Sequence, residues 1–218
     1  MKKTAFLAIT AFLCLQASVM ATGSSNSVNT EMAQKMLLEG NKRYSEGKPI
    51  HPNQNAGRRM ELAQSQKPFA VILSCSDSRV PPEILFDQGI GDLFVIRIAG
   101  NILTAEALGS IEYAVEHLGV SYIMVLGHER CGAVSAAVKG GEAPGHIGSL
   151  VKAIQPAVSQ ANNKPGDVIE NAVEANVGIV VQQLKTSVPI LKEFVEKSKI
   201  TVVGARYDLD DGIVAILK

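Results

Sequence analysis

Two short apolar runs, Ala70 to Leu73 and Tyr122 to Leu126, limit what this chain can fold into more than any other feature. Neither shows the alternation of polar and apolar residues that marks a strand with one face in water. Each is too short for an ordinary helix and rich in strand-favouring side chains. Such runs are strands buried on both faces, the kind found where helices cover a parallel sheet from both sides.

The rest of the chain supplies those helices. Apolar spacing predicts a helix over 30–45, capped by Asn29 or Thr30, and a short one over 58–65 that Lys67-Pro68 ends. Pro81-Pro82 opens a helical turn through Phe86, and 93–99 reads as a further strand. From Thr104 to Leu118, Ala107, Leu108, Ile111, Ala114, Val115 and Leu118 form one stripe, closed by Gly119. Helical patterns follow over 131–138, 147–160, 167–186 and 188–197. Segments 200–207 and 213–217 flank Asp210-Asp211-Gly212, a hairpin signal. The expected fold class is α/β: a mostly parallel central β-sheet flanked by helices, with a C-terminal antiparallel hairpin strand and an N-terminal helical arm. No internal repeat or linker divides residues 29–218, which read as a single domain.

The N-terminus has a different character. Lys2 and Lys3 precede an apolar segment from Ala5 to Leu15 and then small residues, the order of a secretory signal; the apolar part is too short to span a bilayer. Cleavage is expected after Ala21, with Gly23 the alternative, which makes residues 1–21 a signal peptide and 22–28 a disordered lead-in. Lipidation at Cys14 is disfavoured by the bulky Leu13 before it. The expected location is periplasmic or secreted, with no membrane association after cleavage. The formal net charge is zero, and losing the signal removes two lysines and no acid. Nothing in that balance calls for nucleic acid.

With the signal gone, Cys75 and Cys131 are the only cysteines. In an oxidising compartment a disulfide is the first reading of such a pair. Each, however, has polar companions a disulfide does not need: Asp77 and Arg79 for the one, His128 for the other. Zinc takes sulfur, nitrogen and oxygen ligands in a tetrahedron, and a catalytic site keeps one position open. Cys75, His128 and Cys131 supply three ligands, and two thiolates balance the charge of the ion. His128 and Cys131 lie where a strand becomes a helix, whose N-terminus favours thiolate. Asp77 has two options: to be the fourth ligand, or to pair with the guanidinium fork of Arg79 and leave that position to water.

At these residues the chain resembles the β-class carbonic anhydrases. Cys75-Ser-Asp77-Ser-Arg79-Val and His128-x-x-Cys131-Gly form that family's paired signature, and the likeness runs from about Leu38 to the C-terminal hairpin. It implies one Zn2+ per chain on Cys75, His128 and Cys131, an Asp77–Arg79 dyad, and zinc-assisted hydration of CO2 to bicarbonate and a proton. It also implies a homodimer or homotetramer with the CO2 pocket at the dimer interface. By position, the pocket residues are Gln66, Phe94, Ala99 and Tyr113, with Gly132 offering a backbone N–H. Arg97-Ile98-Ala99-Gly100-Asn101 departs from the more frequent Arg-Asn-Val-Ala-Asn, placing alanine where a pocket valine is expected. A subclass with an inhibitory bicarbonate pocket builds it around tryptophan; this chain has none.

Overall fold

The computed structural model describes residues 28–218. The expected signal, Cys14 and all but the last residue of the lead-in lie outside the described residues.

Five strands form one sheet in the order β2-β1-β3-β4-β5: β1 (Ala70–Ser74), β2 (Leu93–Arg97), β3 (Tyr122–His128), β4 (Thr201–Tyr207) and β5 (Val214–Ile216). The first four are mutually parallel, and β5 returns antiparallel along β4. The continuous apolar runs have the expected cause. On β1, Ala70 and Ile72 point into a core shared with Ala33 and Leu37 of helix α1 (Thr30–Ser45) and Leu85 of α3 (Pro82–Leu85). Val71 and Leu73 point the other way, into a core built with α4 (Ala105–Glu116), α7 (Val168–Thr186) and α8 (Ile190–Glu196). Every residue of β1 and β3 is buried.

Side chains close the helix ends. Asn29, Asn55, Thr104 and Asp167 each accept a hydrogen bond from a first-turn N–H, capping α1, α2 (Ala56–Glu61), α4 and α7. The Asn55 cap moves the second helix forward from the expected 58–65. Helices α5 (Gly132–Lys139) and α6 (Ile147–Ala161) pack on α7 and build a third core beyond the sheet edge. Buried Asn41 of α1 donates to Leu85 O and Gly212 O and accepts from Val214 N, so the helical arm is tied to the C-terminal hairpin.

Two strands end two residues away from the expected position. β2 stops at Arg97 because the chain turns into a short 3-10 segment, Ala99–Asn101, with Gly100 at φ 71°. β3 runs two residues further, since Gly127 and His128 pair with Arg206 and Tyr207 of β4. Glycine there is a packing requirement: a Cβ on Gly127 would lie 2.6 Å from Val177 Cγ2 on α7.

Candidate metal centre

The topology places the site. After β1 the chain crosses to β2 on one side, while β3 lies on the other, so connections diverge between β1 and β3. In open α/β sheets a crevice forms at that point, beyond the carboxyl ends of the strands. Ser74 is in register with Leu126, so Cys75 leaves β1 beside Gly127 and His128 at the end of β3. Cys131 follows three residues later as the residue before α5, its sulfur unused in capping that helix.

The three side chains meet. Cys75 Sγ, Cys131 Sγ and a ring nitrogen of His128 all lie within 4.8 Å of one another, and all three residues are buried. The sulfurs are 4.0 Å apart, twice the length of a disulfide bond, so both cysteines are free. His128 Nδ1 is 2.9 Å from Glu129 O, and because a carbonyl only accepts, Nδ1 carries the proton. In the neutral ring Nε2 then presents a lone pair. That atom is buried and has no hydrogen-bond partner. A tetrahedron with metal–sulfur bonds near 2.3 Å has sulfur–sulfur edges of about 3.8 Å. The donor set therefore fits zinc in kind and in spacing.

The sulfurs share one negative charge. The hydrogen bond from Cys131, with help from the Gly100 and Asp77 backbone, pulls the Cys75 thiol down to about 4 against the opposing effect of burial. Hydrogen bonding to Cys75 and burial push Cys131 upward.

Asp77 stands outside this trio. Arg79 grips it through Nε to Oδ1 at 3.0 Å and Nη2 to Oδ2 at 2.8 Å, and the Arg79 backbone N–H also donates to Oδ1. Chiefly through those side-chain hydrogen bonds, the carboxyl is held at about 2 and stays ionised. Its Oδ2 lies 3.8 Å from His128 Nε2, beyond hydrogen-bond range.

A carbonic anhydrase family model matches residues 70–214. The chain belongs to the β-class carbonic anhydrases. Carbonic anhydrase 2 of Mycobacterium tuberculosis is 41% identical over 190 residues, covering 85% of this chain and 92% of that one. A carbonic anhydrase of Mycolicibacterium smegmatis is 40% identical over 192 residues, 86% and 93% of the respective chains. Among solved structures, a tetrameric β-carbonic anhydrase of Sordaria macrospora superimposes with a TM-score of 0.69 at 25% identity, covering 83% of this chain and 94% of that one. A Coccomyxa β-carbonic anhydrase in complex with acetazolamide gives 0.67 at 26% identity, covering 83% and 84%. The chain is thus an enzyme of the carbonic anhydrase type, and the α/β architecture expected from its apolar runs is the β-class fold.

The residues expected to line a carbonic anhydrase pocket are more dispersed. Ala99 is half-buried in the 3-10 segment, next to Gly100, whose N–H donates to Cys75 Sγ at 3.2 Å. Gly132 opens α5 beside Cys131. Phe94 lies on the edge strand β2, its ring 6.5 Å from that of Tyr113 on α4, and Tyr113 is 46% exposed. Gln66 is exposed between α2 and β1. Phe94 and Tyr113 thus sit at the open side of the sheet, where β2 is the edge strand.

Other contributors act through contacts that no motif shows. Arg97, at the end of β2, donates to Cys75 O at 3.0 Å and Asp77 O at 2.5 Å, clamping the loop that bears both residues. Glu129 is buried and accepts from Leu209 N, Arg130 and Arg206. Arg130 N–H and Arg206 in turn bind Glu170 of α7. Glu129, Asp208 and Asp210 also lie close together, but Arg130 and Arg206 engage all three carboxylates, which makes them an ion-pair network.

Proposed function

We propose that Cys75, His128 and Cys131 hold one zinc ion, that Asp77 stays paired with Arg79, and that the chain catalyses reversible hydration of CO2 to bicarbonate and a proton at that centre. The observation that carries this is the buried, unpartnered His128 Nε2 beside two buried sulfurs. Zinc bound there supplies Lewis acidity that brings the pKa of water to around 7.

The chain's own groups do the rest. An ionised carboxylate only accepts hydrogen bonds, so Asp77 accepts one from the reacting water and fixes which lone pair faces the substrate. Arg79 holds that carboxylate off the metal. CO2 is apolar, and Phe94 and Tyr113 offer it a surface without competing polar groups. As negative charge grows on its oxygen, the first N–H groups of α5 near Gly132, together with the Gln66 amide, are the available donors. Bicarbonate leaves, and the proton passes to buffer.

A second copy completes the pocket in this reading. β2 is an edge strand with partly exposed apolar residues, and an unpaired edge of that kind invites another chain. The tetrameric Sordaria relative supports a dimer or tetramer here. Lys2-Lys3 and the apolar segment behind them support export.

Metal analysis and stopped-flow CO2 hydration test the proposal together. One zinc per chain, lost with activity in Cys75→Ser, is expected. Asp77→Asn is expected to keep its zinc and lose about 10²-fold or more in rate. Full activity in Asp77→Asn would remove the dyad from the mechanism.

A further inference from the structure

We propose that Asn176 of α7 is a positioning residue for the Cys75 sulfur, acting through Gly100. It locks the 3-10 segment so that the Gly100 N–H points at that sulfur, and thereby sets how tightly the centre holds a divalent metal. The inference rests on the reading of Cys75 as a ligand.

Asn176 is out of place by composition. The other buried residues of α7 are Ala172, Val173, Ala175, Val177, Val180 and Leu184, all apolar, whereas Asn176 is an amide only 2% exposed. Burying an amide is unfavourable unless it is hydrogen-bonded. Its Nδ2 donates to Gly100 O at 2.7 Å, across 76 residues of sequence.

Gly100 joins two peptide planes with the most permissive of residues, at φ 71° and ψ 20°. The plane after it is pinned at both ends: Asn176 holds its carbonyl oxygen, and Asn101 N–H donates to Ile98 O at 2.8 Å. The plane before it carries the N–H that meets Cys75 Sγ at 3.2 Å. Packing closes the remaining freedom, since a Cβ on Gly100 would lie 2.7 Å from Ile154 Cδ1 and 3.2 Å from Ala133 Cβ. Without the amide, the carbonyl is left buried and unpaired, and the segment turns to find another donor, carrying the N–H off the sulfur. Partners one step outside a metal's ligands typically change affinity about 10- to 100-fold when removed.

The test uses the full chain loaded with Co2+, whose thiolate-to-metal charge-transfer absorption reports the electron density on sulfur. Asn176→Leu keeps the volume and loses the donor; Asn176→Ser keeps a polar group but cannot reach Gly100. Val180→Ala, on the same helix but in the core under α4 and α8, is the control for general loosening. Both Asn176 variants are expected to move the band to lower energy, because the sulfur loses its N–H donor. Competition with a chelator is expected to show Zn2+ bound about 10- to 100-fold more weakly. Val180→Ala is expected to lower Tm and leave the band in place. An unmoved band and unchanged Zn2+ affinity in whichever Asn176 variant folds would overturn the inference, as would an equal shift in Val180→Ala. Absence of any thiolate–cobalt band in the unsubstituted protein would instead overturn the ligand reading beneath it.

Discussion

Gly127→Ala tests the link between packing and the metal centre. The added Cβ would stand 2.6 Å from Val177 Cγ2 and 3.2 Å from Val173 Cγ1. Carbon atoms rest about 3.5–4.0 Å apart, so the first contact is too close by roughly 1 Å. Val177 is fully buried, and a β-branched side chain on a helix has essentially one rotamer, so it cannot swing clear. Either α7 lifts or the end of β3 moves, and that end carries His128. Overpacking of this kind costs about 1–3 kcal/mol, and a contact this short belongs at the upper end, about 2–3 kcal/mol. Urea unfolding is expected to show that loss in the midpoint with an unchanged slope. Transfer of zinc to a chelator is expected to be faster. Val177→Ala alone leaves a cavity and costs about 1–3 kcal/mol. In the double variant the offending methyl is gone, so the two losses overlap by about 1–2 kcal/mol. Additivity within about 0.5 kcal/mol would refute the steric account of Gly127.

Three further outcomes follow from other contacts. Glu129→Ala strands Leu209 N–H and part of the charge of Arg130 and Arg206, and is expected to cost about 2–3 kcal/mol, read as a fall in Tm of roughly 5–10 °C. Asp87 is buried, which raises its pKa, but the Arg43 guanidinium and the Ile50 and His51 N–H groups outweigh that and leave it depressed. Its stabilisation is therefore present above the unfolded carboxyl value of about 4 and is lost as pH falls through the folded value. Asp87→Asn is expected to flatten the acid limb of a stability–pH curve, and an unchanged limb would count against the clamp. Mass spectrometry of exported protein is expected to find Thr22 as the first residue.

Much of this fold is legible in the chain because its strongest signals are local. The apolar runs at Ala70 and Tyr122 announce strands covered on both sides, and Asp210-Asp211-Gly212 announces the closing hairpin. The spacing of Cys75 and Asp77, and of His128 and Cys131, shows which residues belong together at two strand ends. What escapes is set by contacts between distant segments. Gly127 reads as a breaker, yet pairing with β4 keeps it in the strand while α7 demands that it lack a side chain. Asn176 is hidden in a helical stripe because only the fold shows that its amide reaches Gly100. Arg97 and Glu129 look like ordinary charges until the loops they hold are in place. Phe94 on β2, Tyr113 on α4 and the exposed Gln66 come from three separate segments, so their relation is not visible in the sequence.

Zinc K-edge absorption on the purified protein asks the central question directly. Two sulfur neighbours at about 2.3 Å, accompanied by nitrogen or oxygen at about 2.0–2.2 Å, are the shell that Cys75, Cys131 and His128 predict. A zinc shell without sulfur, in folded and active protein, would contradict the account.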